Sequence, residues 1–410
     1  MNGDRLKQVV CWGAALVLLT VGTTAMASKT GKTTSMQDEY EAYLKEDMDF
    51  QAYQKQVEQE FKAYKTILRE EFKSYRADIL KVWDKPEVSH KKRYVGYSSD
   101  YKVKKVVDFE KGTVKISAVV PEGTSNTQNL LSKHLLDLLN ESTKSAFAGN
   151  AFATGVEKKL KAALPPGRIQ TAAIAPKPVV GDLFTGKAVP TMKETAQAVK
   201  AIMAKAQVTK AKAPKTLGSN VVAVEVKLPP KGAGVKAKAY LPEIKQHSQK
   251  RKLPPALILA VMETESAFNP MATSYVPAYG LMQIVPKSAG RDASKLVLGK
   301  DVVLSPSYLY NGKNNIAMGT AYLYILNDRY LASIKDPMSR LYCVIAAYNT
   351  GAGNVARAFT GTTSVKKAAP KINAMTPEKV YQRLMRKLPH QETRDYLKRV
   401  TTRMKKYESA

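Results

Sequence analysis

Residues 254–270 read PPALILAVMETESAFNP, and this stretch decides how the rest of the chain is read. Pro254-Pro255 stands where a helix begins, because proline suits the first turn, whose N–H groups have no intrahelical partner. Residues 256–264 are apolar on nearly every side, which predicts a helix buried all round. Phe268-Asn269-Pro270 breaks it, since a residue ahead of proline is pushed out of the helical region. Glu263 and Glu265 lie two positions apart, about 200° around the axis, so they cannot share a face. One carboxyl is expected to meet solvent and the other the interior. An inward carboxyl at the C-terminal end of a buried helix meets orphan carbonyls and apolar neighbours, and both favour its protonated form. A general acid working at neutral pH needs that setting. On pattern alone, a helix-end glutamate is more often a surface residue or a cap.

Downstream, apolar residues recur at three and four in 256–262, 316–326, 340–348 and 380–388, with Gly, Pro and Asn in the gaps. Residues 236–410 therefore read as a compact helical domain. Upstream, Val222, Val224 and Val226 alternate as in a strand, and Tyr94, Val95, Tyr97, Tyr101, Val103, Val106, Val107, Phe109, Val114, Ile116, Val119 and Val120 are β formers at roughly alternate positions. Glu110-Lys111-Gly112 marks the turn of a hairpin within 88–120, and 221–228 is placed to return to the same sheet. A helix is predicted over 127–140, with Leu130, Leu131, Leu135, Leu138 and Leu139 along one side. The domain 85–232 contains a Pro/Ala-rich part, about 141–219, expected to be loosely structured apart from a helix near 192–206. Ahead of it, residues 36–84 read as one long helix. Phe50–Tyr53, Phe61–Tyr64 and Phe72–Tyr75 repeat every eleven residues, which keeps the aromatic pairs on one face. That stripe suits a coiled-coil partner or the protein's own domain, the alternative being an assembly or wall-spanning stalk. The fold class expected is α+β, a mainly helical C-terminal domain preceded by a long helix and a small β-rich domain.

Charge and composition narrow the function. The 410 residues carry 65 Lys/Arg against 35 Asp/Glu, a net charge of +30. Fifteen Lys/Arg against five Asp/Glu fall in residues 141–231. Such a balance suits an anionic polymer or a membrane surface as well as nucleic acid, or is a solvated basic face. Two Cys and four His exclude a disulfide framework and leave no His/Cys metal set, so no metal and no cofactor are expected. Arg5 and Lys7 precede an uncharged run over 9–27 that ends Ala25-Met26-Ala27. This reads as an export signal over 1–27, with an uncleaved inner-membrane signal anchor as the alternative. Cys11 stands before the apolar core and is not placed for lipidation. Export sets nucleic acid aside as a partner, and no nucleic-acid-binding motif is present.

Glu265-Ser266-Ala267-Phe268-Asn269-Pro270, then Gly280-Leu281-Met282-Gln283, then Ala347-Tyr348-Asn349-Thr350-Gly351 resemble the signature motifs of the soluble lytic transglycosylases of peptidoglycan. Ser274 falls where that family has a serine between the first two motifs. Asn315-Ile316 with Gly319-Thr320-Ala321-Tyr322-Leu323 is similar to its asparagine/tyrosine helix, and Glu392-Thr393-Arg394 with Tyr396 to its closing element. Residues 83–120 with 220–228 look like the N-terminal domain of the membrane-bound C-type members. Residues 141–219 are not covered by that likeness.

The resemblance implies a lysozyme-like catalytic domain in the periplasm that cleaves glycan strands at muramic acid C1. Glu265 would be proton donor and then base, and the substrate's own acetamido carbonyl would replace a second carboxylate. The family forms a 1,6-anhydro ring without water. Ser274, Gln283 and Asn349 offer hydrogen bonds to sugar groups; Met282 and Tyr348 offer walls, their alternative being core residues. Gly280 lets the backbone approach the glycan. Ala347 is carried over with the third motif, and Tyr322 and Tyr396 stay open between groove lining and core. Gly351 and Gly353 open the next helix. Two other functions stay in view: a goose-type-lysozyme-like muramidase, and a wall-binding assembly factor without catalysis. Neither stem-peptide preference nor oligomeric state is legible.

Overall fold

The structure, a computed structural model, describes residues 36–408 except 214, 217, 231 and 275–277. The export-like segment lies outside the described residues. The order is α1 (Met36–Leu80), β1 (Arg93–Tyr97), β2 (Val103–Asp108), β3 (Thr113–Pro121), α2 (Thr127–Leu139), α3 (Thr143–Ala148), α4 (Ala151–Ala163), β4 (Ile169–Gln170), α5 (Gly181–Thr185), α6 (Met192–Met203), β5 (Val208–Lys212) and β6 (Ser219–Lys227). The C-terminal half is α7 (Gly232–Arg251), α8 (Pro255–Ser266), α9 (Ala289–Leu298), β7 (Val303–Leu304), α10 (Pro306–Tyr310), α11 (Gly312–Ile325), α12 (Pro337–Thr350), α13 (Ala352–Thr360), α14 (Val365–Asn373), α15 (Pro377–Lys387) and α16 (Gln391–Glu408). The class is α+β. No helix among the described residues is long and apolar enough to cross a membrane.

The sheet is antiparallel in the order β1-β2-β3-β6-β5. The chain turns at Glu110-Lys111-Gly112 between β2 and β3, and β6 pairs along β3 with Ile116 opposite Val224. Alternation then sends Val107, Val114, Ile116, Val222 and Val224 into the core with Leu131, Leu135, Leu138 and Leu139 of α2. Val119 packs instead with Ile79 and Trp83 at the end of α1. The Trp83 indole donates to the Tyr101 carbonyl at 2.7 Å, and the Lys104 ammonium lies 4.1 Å from its ring.

The described residues of 141–219 are not loose. The expectation rested on lysine, alanine and proline content, but small apolar residues at helical spacing bury well against a neighbour. Ala153, Val156 and Leu160 of α4 are fully buried; Val156 and Leu160 pack with Tyr64 and Ile67 of α1. The short parallel pair β4–β7 joins the segment to the C-terminal half. Some of its charged residues have partners: Lys159 lies 2.8 Å from Glu71 of α1, and Asp182 forms a buried pair with Lys236 of α7 at 2.7 Å.

The aromatic face of α1 packs on the protein itself. Tyr75 meets Tyr97, Tyr101 and Phe152, and the Tyr64 hydroxyl lies 3.4 Å from that of Tyr279. Beside this stripe a charged network pins the helix. Glu60 accepts from Arg168 at 2.7 Å and from Arg291 at 2.9 Å, and Arg291 also donates to Asp301 at 2.6 Å. Burial pushes the Glu60 carboxyl up, but hydrogen bonds from Arg168 and Gln56 and the charge of Arg291 hold it below the usual range. A lowered carboxyl adds stability above its ordinary titration range, and that stability disappears as pH falls through its lowered value. Glu60→Ala leaves the half-buried Arg168 without its counter-charge and the buried Arg291 with Asp301 alone. It should cost about 3–5 kcal/mol at neutral pH, read as a lower urea midpoint at unchanged slope.

Candidate active site

The apolar helix α8 is buried from Ala256 to Met262. Its end is set by residues of positive φ: Ala267 at 50° and Phe268 at 60°. These turn the chain sharply at Glu265, and Asn269, fully buried, caps the turn by accepting from the Met271 N–H at 3.0 Å. The two glutamates diverge. Glu263 points to α16, where it accepts from the Tyr407 hydroxyl at 2.7 Å and lies 3.5 Å from Arg403. Glu265 is 5% exposed and faces an opening of about 390 Å³ lined by Lys91, Thr264, Ser274, Glu392, Tyr396 and Arg399 among others.

Among the described residues Glu265 has one close cation. The Lys91 ammonium lies 3.6 Å from its Oε2 and 3.5 Å from Glu392 Oε1. Burial pushes the Glu265 carboxyl above the usual carboxylate range; Lys91 and the Tyr396 phenol draw it back, and Glu392 raises it. Tyr396 is buried beside Glu265 without a hydrogen bond of good geometry from its hydroxyl. Among the described residues no group of His, Cys, Asp and Glu is arranged to hold a metal ion.

The turn after Ser274 is held from three sides. Asn315, buried on α11, accepts from the Met282 N–H at 2.8 Å and donates to the carbonyls of Tyr279 and Leu309, each at 2.8 Å. The Tyr348 hydroxyl donates to the Met282 carbonyl at 2.8 Å, and Ser266 donates to that of Leu281 at 2.8 Å. The elements that carry the three quoted motifs are thus wired together through backbone carbonyls.

This wiring changes how several candidates are read. Met282 is fully buried, with space made for its sulfur by Gly319, so it is a core residue and no sugar wall in this structure. Ala347 is core as well. Gly280 has φ +73°, and a Cβ there would sit 2.3 Å from Asn315 Nδ2 and 2.4 Å from the Leu309 carbonyl. Its close approach is to the protein's own frame. Gln283 donates to the Gly280 carbonyl at 3.0 Å and keeps its buried Oε1 without a partner. Asn349 accepts from Thr393 at 2.7 Å, which ties α12 to α16. The Tyr322 and Tyr348 rings are tilted at 55° with centroids 5.6 Å apart, and Tyr322 is half-buried. Ser274, Glu265 and Tyr396 are the named candidates that line the opening directly. Sequence reasoning missed Lys91 and Arg399; the run His90-Lys91-Lys92-Arg93 ahead of β1 is a charge cluster, but nothing in it points across the fold.

Residues 242–370 match the family model described as the transglycosylase SLT domain. That stretch is similar to a transglycosylase SLT domain. Residues 57–146 match the model for the N-terminal domain of membrane-bound lytic murein transglycosylase C. The chain is 46% identical over 187 residues to the membrane-bound lytic murein transglycosylase C of Klebsiella pneumoniae, covering 46% of this chain and 51% of that protein. It is 48% identical over 184 residues to the protein of that name from Photorhabdus laumondii, covering 45% and 51%. The chain thus spans about half the length of the curated relatives it matches. The 70 kDa soluble lytic transglycosylase of Escherichia coli aligns in structure at 23% identity over 43% of this chain and 28% of that one, with a TM-score of 0.33, too partial a likeness to build on. The SLT domain supplies Glu265, the N-terminal match supplies Lys91, and Glu392, Tyr396 and Arg399 come from α16.

Two outcomes follow for the SLT domain. A carboxyl raised by burial favours folding below its ordinary titration range and opposes it once pH rises through the raised value. Glu265→Gln should therefore raise the melting temperature at neutral pH and lose that gain at pH values below the ordinary carboxylate range. Gly280→Ala should cost more than about 2 kcal/mol, from the left-handed backbone and the collision with Asn315, measured by urea unfolding.

Proposed function

We propose that the protein is a lytic transglycosylase that cleaves peptidoglycan glycan strands without water. The observation that carries this reading is the buried Glu265 carboxyl, raised by burial and facing an opening from within the stretch that matches the SLT model. Protonated Glu265 gives its proton to the glycosidic oxygen as the bond to muramic acid C1 breaks. The neighbouring acetamido carbonyl stabilises the electron-poor carbon. The C6 hydroxyl then bonds to C1, and its proton returns to the Glu265 carboxylate, which restores the acid. Ser274 at the rim and the unpartnered Gln283 oxygen are proposed donors and acceptors for sugar groups, with Asn349 and Tyr348 behind them. Tyr322 and Tyr396 complete the proposed lining. The export-like start supports a periplasmic location, with an inner-membrane anchor as its alternative. The exposed lysines outside the ion pairs suit attraction to an anionic wall polymer or a membrane surface.

One observation favours a second reading, a muramidase. Glu392 lines the same opening, and its contact of 3.5 Å with Lys91, laid end to end with the 3.6 Å from Lys91 to Glu265, keeps the two carboxylates within about 7 Å. An acid and a base for an incoming water need about 6.5–9.5 Å. Glu392 is 68% exposed at its side chain, so it lacks the fixed placement a base requires.

Purified sacculi digested with the full chain and resolved by mass spectrometry decide between them. Muropeptides lighter by one water than the hydrated forms are expected, and Glu265→Gln should reduce their release by about 10²–10⁴-fold. Hydrated reducing ends would establish the muramidase, and no products from the unaltered chain would leave a wall-binding role.

A further inference from the structure

The acid of the SLT domain takes its counter-charge from outside that domain. Lys91 belongs to the segment between α1 and β1, and its backbone is tied to the turn after α8: the Asn269 side chain donates to the Lys91 carbonyl at 3.4 Å. Its side chain is 37% exposed, and its ammonium is divided between the Glu265 and Glu392 carboxylates at nearly equal distance. The proposed reaction, on which this inference rests, requires Glu265 in two charge states. It is neutral when it donates the proton and anionic until it takes one back. Burial alone serves the first state and penalises the second. We propose that Lys91 is the positioning residue that holds the Glu265 carboxylate through the anionic half of the reaction, so that the N-terminal domain completes the catalytic centre.

The other groups facing Glu265 give the proposal its sign. From α16 come Glu392, which opposes the anion, Tyr396 beside the carboxyl, and Arg399 further along the opening. Tyr348 approaches from α12. His90, Lys92 and Glu110 line the far wall, where Lys92 pairs with Glu110 at 2.5 Å. Burial draws the His90 imidazole down, so it adds no charge at neutral pH. Lys91 is the one cation that an ion pair joins to Glu265 among the described residues. Its own ammonium is pushed up by the Glu265 charge first, so it stays charged wherever Glu265 titrates.

The test reads Glu265 itself. In full chain carrying ¹³C-labelled glutamate, Lys91→Met should move the Glu265 carboxyl midpoint upward by about 1–3 pH units. Glu392→Gln removes the opposing charge and leaves Lys91 to Glu265 alone, so it should move the midpoint the other way. Lys91→Arg should restore the unaltered value. With sacculi as substrate, Lys91→Met should lower kcat by roughly tenfold for each unit of that shift, and the base limb of the pH profile should follow the midpoint. Misfolding would not shift one carboxyl in opposite directions with two surface variants. An unmoved midpoint in Lys91→Met, or shifts of the same sign in both variants, would overturn the proposal while anhydro products still stand. Hydrated or absent products with the midpoints shifted as described would instead overturn the transglycosylase reading and leave the Lys91 coupling intact.

Discussion

A carboxyl removed from water at the end of an apolar helix must be neutral or paired, and the fold around Glu265 answers that constraint on both sides. α8 supplies the desolvation, because every residue from Ala256 to Met262 is buried. Its reversed last turn, through Ala267 and Phe268, aims the carboxyl outward into the opening and away from the core. The N-terminal domain supplies the cation. Burial favours the neutral acid and Lys91 favours the carboxylate, so the two act on Glu265 in opposite directions. The frame beneath it is equally committed: Asn315 holds the Tyr279–Met282 turn by two hydrogen bonds and Leu309 of α10 by a third, and Tyr348 and Ser266 add their own to the turn.

Much of this was legible wherever one local signal sufficed. The buried helix followed from PPALILAVME, the divergence of Glu263 and Glu265 from helical geometry, and the β2–β3 turn from Glu110-Lys111-Gly112. The leucine face of α2 and the return of residues 219–227 to the sheet followed from periodicity. Failures came where the deciding partner is remote. Residues 141–219 looked loose because lysine and alanine say nothing of a neighbour, and the neighbour is α1. Met282 and Gly280 were read as sugar contacts from the resemblance of their motif, with core as the alternative for Met282. In the fold they fill the space around Gly319 and Asn315. Lys91 carried no signal, since a charge cluster does not state what it will face.

The long helix shows how a repeat can be ambiguous and still informative. The eleven-residue period predicts an aromatic stripe on one side, but a stripe is mute about what it packs against. Tyr75 and Tyr64 spend it on the sheet and on Tyr279, beneath the turn that bears Gly280. Glu60 sits near that stripe and is more decisive than any ring. Once buried, it requires both arginines, and these come from opposite halves of the chain.

The pair between Lys91 and Glu392 joins residues 301 positions apart. Closing a flexible loop of that length costs about 5 kcal/mol of chain entropy, while an exposed ion pair returns about 1 kcal/mol at most. That contact cannot be what brings the two halves together; the buried core and the Glu60 network do so, and Lys91 arrives already aligned. Its distance to Glu265 is then a gauge of whether assembly is complete. A chain whose sheet had shifted on α8 would keep its acid and lose the counter-charge, and would announce the fault as a change in ionisation before any loss of helix.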